Sequence, residues 1–411
     1  MATLAFMQSK DYEQFCRGAL QNPYPLLHEL RGHDPVHWSE SMHAWVFTRY
    51  DDVLELLRDP RAKNDRTDAY FCQLPDEMRA KTAGFERHIS NWLGMIDPPK
   101  HTRLRELITW AFTPKVVRGL EPRIRDLTRD LLDHIQSIAG PVDLKAEFAD
   151  RIPATIICEM LELPTDHHDD FRNLVYDILE GVEKTGPALH EGIGIALPAY
   201  EKIETFMMPI IEKRRKNPGE DLISRLACGE WEGKRLDDDE MLGLSTFMFV
   251  AGHDTTVNLL ANGLLCLLQN RDQWDTLKSN RKLIPSAVEE ALRYEPSVML
   301  INRVAGEDFE WRSRTIRRGQ IIMLMVTGAN RDPERFPEPD RFDIARKDNK
   351  HLSFGWGDHF CLGAPLARAE ASIAFESLSE RFPNMQLAVD APTWRVNQNV
   401  RMLKSLPARL S

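Results

Sequence analysis

The chain has 411 residues, 42% hydrophobic and 28% charged, a balance typical of folded globular proteins. Its 63 acidic against 53 basic residues give a net charge of −10, which argues against nucleic acid as the main partner because phosphate binding wants a basic surface. Residues 1–7 are apolar but too short for a signal-peptide core, and no run approaches the roughly 18 apolar residues of a membrane span.

The expectation is therefore a cytoplasmic protein with no membrane anchor. Cys16, Cys72, Cys158, Cys228, Cys266 and Cys361 are scattered without a CxxC pair. Neither a zinc site nor a disulfide framework is indicated, and reduced surroundings fit.

In chain order, 43–50 (HAWVFTRY) reads as a strand and 51–58 as a helix opened by an acidic turn. Residues 59–96 lack sustained periodicity and read as a long irregular segment. From about 101 to 300 the pattern is helical. Residues 118–138 repeat apolar positions every three or four residues, and the glycines and prolines of 183–199 read as an irregular connection between helices. The longest helical pattern, about 238–269, opens on acids and is nearly all apolar afterwards, so it predicts a buried central helix.

Residues 310–326 read as a strand pair, and 331–345 carry three prolines and exclude regular structure. A final helix is expected just after Cys361, and 394–411 reads as extended. The whole predicts a mainly α protein with a small β portion, organised as one domain over 1–411. Its α-rich parts are about 51–300 and 361–380, its β-rich parts about 30–50, 303–330 and 385–411.

Residues 354–363 read Phe-Gly-Trp-Gly-Asp-His-Phe-Cys-Leu-Gly. A thiolate that ligates a metal must be kept deprotonated, and the N-terminus of a following helix favours the anion. This segment resembles the haem-ligand signature of the cytochrome P450 family, on the anchors Phe354, Gly357, Cys361 and Gly363. Glu290-Ala-Leu-Arg293 is similar to the family's ExxR element, whose i, i+3 spacing puts carboxylate and guanidinium on one helix face. The resemblance implies a third member from the proline-rich stretch, at Arg341.

Ala251-Gly252-His253-Asp254-Thr255-Thr256 interrupts the apolar run of the long helix. An aspartate and threonines are unfavourable there for propensity and burial, so a functional reason is indicated. The resemblance supplies one. Ala251 and Gly252 leave room for dioxygen, and Asp254 and Thr255 are the acid–alcohol pair that delivers protons to it. His253 is expected to point away, by helical geometry, and to be structural.

The resemblance further implies haem b as cofactor, Cys361 as ligand to its iron, and His101, Arg105, Arg303 and His359 as partners of its propionates. The substrate pocket is expected from 66–95, 170–205, 246–251, 297–302 and 396–400, including Phe249, Val250, Val298, Leu300 and Val400. That mostly apolar set suits a lipophilic small molecule.

The expected activity is a monooxygenase inserting one atom of O2, most simply as C–H hydroxylation in secondary metabolism. Alternatives are a peroxide-driven peroxygenase and a haem-thiolate sensor without turnover. With no flavin or cluster signature, electrons are expected from a separate ferredoxin and its ferredoxin reductase, with Arg368 in a basic docking patch. A monomer is expected.

Overall fold

A computed structural model describes residues 21–40, 42–164, 168–183, 189–395 and 399–410. Residues 1–7, Cys16, the Gly186-Pro187 connection and 396–398 of the expected pocket lie outside the described residues.

The principal elements, in chain order, begin with α1 (Tyr24–His33), β1 (Val36–Ser39), β2 (Ala44–Phe47), α2 (Tyr50–Leu56) and β3 (Ala62–Lys63). Then come α3 (Ala83–Ile89), α4 (Lys100–Thr109), α5 (Pro114–Ser137), β4 (Val142–Asp143), α6 (Arg151–Met160), α7 (His168–Glu183) and α8 (Leu189–Lys216). After these follow α9 (Asp238–Gln269), α10 (Arg271–Ser279), α11 (Ile284–Tyr294), β5 (Ile301–Ala305), β6 (Phe309–Trp311), β7 (Arg314–Ile316) and β8 (Ile321–Leu324). The last are α12 (Ala364–Arg381), β9 (Gln386–Leu387) and β10 (Pro407–Arg409). The protein is mainly α with small sheets, as the sequence predicts.

The chain divides into two compact units. The first comprises 1–63, 118–152 and 254–411. Its sheet runs β1-β2-β8-β5-β3, with β2 and β8 parallel and the other neighbours antiparallel. Alternation turns Trp45, Phe47, Ile322 and Leu324 onto a core with Tyr50 and Phe336. Residues 331–345 form no regular element, as three prolines require, and β6 and β7 make a separate hairpin.

This irregular stretch is organised by one buried ion cluster. The Glu290 and Arg293 side chains are wholly buried and 2.7 Å apart. Arg293 also donates to the carbonyls of Asn330, Pro339 and Arg341 at 2.8–3.0 Å. Glu290 accepts further bonds from Arg346, Asn349 and the Asp343 backbone. The third cation is thus Arg346, not Arg341. The Arg341 side chain turns outward to Glu338, and only its carbonyl joins the cluster. In a stretch without periodicity, sequence does not tell which arginine points inward.

The second unit comprises 64–117 and 153–253. Residues 59–96 are more regular than expected, with short helices at Thr67–Phe71, Asp76–Lys81 and α3. The expected break at 189–199 is also absent. That stretch is the start of α8, with Pro198 inside it. The glycines there serve packing. A Cβ on Gly181 of α7 would meet the Ala196 Cβ at 2.3 Å and the Gly192 carbonyl at 2.6 Å, so α7 and α8 touch backbone to backbone.

Candidate active site

The loop before α12 is built by two left-handed glycines, Gly355 (φ +68°) and Gly357 (φ +69°). Any other residue there would be strained. The turn is closed by bonds from Phe360 N–H to the Gly357 carbonyl (3.0 Å) and from Cys361 N–H to the Phe354 carbonyl (2.8 Å). Cys361 ends half-buried, three residues before a helix of 18 residues whose N-terminal dipole favours an anion. Gly363 is the N-cap, and Pro365 occupies the first turn, where no N–H is needed. His359 lies half-buried in the same turn, and Phe360 beside the cysteine is 37% exposed.

In the same unit, Arg303 lies on β5 with only 3% exposure and donates to the Asn302 carbonyl. Val298 pairs with Val400 in an isolated antiparallel bridge, half-buried, while Leu300 is 6% exposed. Arg368, expected at a docking surface, is already paired. It forks onto Glu289 through Nε (2.6 Å) and Nη2 (2.9 Å), and its guanidinium stacks 4.5 Å over the Phe354 ring.

In the second unit, α4 carries His101, buried, and Arg105, half-buried. The Arg103 side chain between them forms an ion pair with Glu240 and is committed to structure.

Helix α9 is nearly all buried, but one of its faces is open. Ala251 is exposed, and Phe247, Gly252 and Thr255 are half-exposed. Residues 247, 251 and 255 are spaced four apart and so share one stripe of the helix. Asp254 flanks the stripe and is buried.

The opposite side carries Phe249 and His253. The Phe249 ring lies 5.0 Å from Phe171 and stacks on His253, whose Nδ1 lies 3.3 Å from the Tyr176 hydroxyl. His253 points away from the open stripe, the direction expected from helical geometry. Phe249, wholly buried there, lies away from the open stripe.

Sequence reasoning did not single out Phe247, though the four-residue spacing ahead of Ala251 and Thr255 was the available signal. Its ring packs 5.8 Å from Trp92.

The donor set fits an iron porphyrin held by thiolate. Within the first unit, the thiol sits at a helix N-terminus and a guanidinium is buried on β5. Among the described residues, no cluster of His, Cys, Asp and Glu could hold a metal ion by itself.

The cytochrome P450 family model matches residues 77–393. The polyketide biosynthesis cytochrome P450 PksS of Bacillus subtilis is 37% identical over 406 residues, 95% of this chain and 96% of that protein. The vitamin D(3) 25-hydroxylase of Pseudonocardia autotrophica is 36% identical over 98% of this chain and 97% of its own. The solved structure of CYP109E1 from Bacillus megaterium in complex with testosterone superposes with a TM-score of 0.87. It is 32% identical and covers 96% of this chain and 99% of that one.

Fold and site thus define a haem-thiolate protein. The chain belongs to the cytochrome P450 family and is a monooxygenase of that family. Membership implies a haem-thiolate cofactor, O2 as co-substrate and a lipophilic substrate. No helix among the described residues is long and apolar enough to cross a membrane.

Proposed function

We propose that this protein hydroxylates C–H bonds of a lipophilic small molecule, with Cys361 as ligand to the iron of haem b. The observation that carries the reading is the Cys361 loop. Two left-handed glycines present a half-buried thiol at the head of α12, where the helix dipole favours an anionic ligand. When bound, thiolate haem supplies oxygen activation and attack on the C–H bond.

The chain's own residues bind, orient and move protons. His101, Arg105, Arg303 and His359 neutralise the propionates, since a carboxylate in an apolar cavity needs a charged partner. Ala251 and Gly252 keep the open face of α9 clear for O2. Thr255 Oγ1 hands on a proton and Asp254 replenishes it. A threonine on a helix can also bond the carbonyl one turn back, which loosens the helix at that point. Val298, Leu300 and Val400 hold the substrate. Phe249 and Val250 belong to the packing behind them.

A steroid-like or polyketide-derived molecule of secondary metabolism fits such an apolar set, and the relatives' names point the same way. Electrons are delivered by a ferredoxin and its reductase to a cytoplasmic monomer. The acid–alcohol pair favours turnover with O2 over a peroxygenase, and over a sensor, which needs no proton relay.

The test is Thr255→Ala, with a surrogate ferredoxin system and a ligand found by screening steroids and macrolides for a Soret shift. Haem and ligand binding are kept, while product per NAD(P)H falls, by roughly 10²–10⁴-fold at most for a proton-transfer group. An unchanged yield contradicts the relay.

A further inference from the structure

Glu289 and Glu290 are consecutive on α11, and neighbouring helical residues point about 100° apart. The two carboxylates therefore serve different parts of the fold. Glu290 organises the proline-rich stretch through Arg293, Arg346 and Asn349.

Glu289 reaches the cysteine loop and the helix behind it. It takes two parallel bonds from Arg368, at 2.6 and 2.9 Å, and one from His351 Nε2 at 3.1 Å. His351 Nδ1 accepts the Ser353 N–H at 3.2 Å, so Nε2 is the nitrogen that donates to Glu289. Burial pushes the Glu289 carboxyl up, but the Arg368 and His351 bonds outweigh it and hold the group at about 2.

The two donors that Glu289 holds, Arg368 and His351, both reach Phe354. The Arg368 guanidinium covers one face of its ring at 4.5 Å, and the His351 ring lies 5.9 Å away. The Phe354 carbonyl in turn accepts the Cys361 N–H at 2.8 Å. A continuous path therefore runs from Glu289 through two donors and one aromatic ring to the backbone of the cysteine. The Arg368 fork needs a planar guanidinium, because an ammonium cannot make two parallel bonds and stack as well.

We propose that Glu289, Arg368 and His351 are positioning residues that lock Phe354, and through it the Cys361 backbone, so that the thiolate stays on its metal. The proposal rests on the reading of Cys361 as haem ligand. A loosened loop lets the sulfur leave or take up a proton, which is seen as loss of the red-shifted Soret band of the reduced carbon-monoxide complex.

The experiment uses the holoenzyme in urea below its unfolding transition, with the far-ultraviolet signal held constant. The rate at which the red-shifted band is lost is measured for the wild type, Glu289→Gln, Arg368→Lys and the double variant. Arg368→Lys keeps the charge and loses only the fork and the stack. Glu376→Gln, on the same helix as Arg368, breaks an exposed ion pair with Arg125 of α5 and is the control.

Both single variants are expected to lose the band roughly 10-fold faster, the lower end of what supporting residues behind metal ligands typically give. The double variant should be no faster than the singles, since they share one interaction, and the control should match the wild type. Wild-type rates in both single variants, or a double variant whose effects simply multiply, overturn the positioning role. A wild type that never shows the red-shifted band overturns the ligation reading instead.

Discussion

Glu370 on α12 is 2% exposed, and its Oε2 has no hydrogen-bond partner. Burial alone pushes its carboxyl from the ordinary 4.5 up to about 8. At pH 7 the folded protein holds this group protonated, whereas the unfolded chain ionises it. Each unit between the two values is worth about 1.4 kcal/mol, so the group costs roughly 3 kcal/mol of stability at pH 7.

The sign is fixed by which state binds the proton. Below pH 4.5 both states are protonated and nothing is lost. Between 4.5 and about 8 the folded state holds the extra proton, and stability falls as pH rises. Glu370→Gln removes this slope and keeps the shape. With an unfolding entropy near 2 cal/mol/K per residue, a chain of this length shifts by roughly 1 °C per kcal/mol. Melting the holoenzyme and the variant from pH 5 to 8.5 should show the variant gaining about 3 °C on the wild type by pH 7 and more by pH 8. A difference that is flat with pH, or that turns against the variant as pH rises, refutes the reasoning.

Arg293→Lys keeps a charge beside the wholly buried Glu290 but cannot reach the carboxylate and three carbonyls together. The expected loss, from melts of the holoenzyme, is about 3–5 kcal/mol, and a loss under 1 kcal/mol would contradict it. His88, 1% exposed and accepting the Trp92 indole N–H, is pushed down by burial to about 3. The folded state there binds fewer protons, so stability is lost as pH falls from 6.5 towards 3. His88→Phe should shrink the drop in Tm between pH 7 and 4.5, and an unchanged drop would count against burial as the cause.

Much of the fold was legible because one physical signal dominated. The acidic start and apolar run of 238–269 could only be a buried helix, and α9 spans those residues. Helix α12 begins just after the cysteine, where a final helix was expected. Where signals competed, local chemistry misled. The glycines and prolines of 189–199 read as part of a break, yet the stretch is helical, and its Gly192 and Ala196 pack tightly against Gly181.

Arg341 and Arg346 are five residues apart in a stretch without periodicity, and only the fold decides which faces Glu290. Arg368 looked like a surface charge because nothing in the sequence announces that Glu289, 79 positions earlier, is its partner. Phe249 was expected in the pocket from the family position of 246–251, but a two-residue step from Ala251 on a helix turns its ring to the far side, onto His253.

The central claim is that Cys361 holds the haem iron. The direct measurement is the Soret band of the reduced carbon-monoxide complex in the wild type and in Cys361→His. The red-shifted thiolate band in the wild type, moving to the histidine-type position in the variant, is the expected result. A wild type that lacks the thiolate band, or a variant that retains haem and keeps it, would contradict the claim.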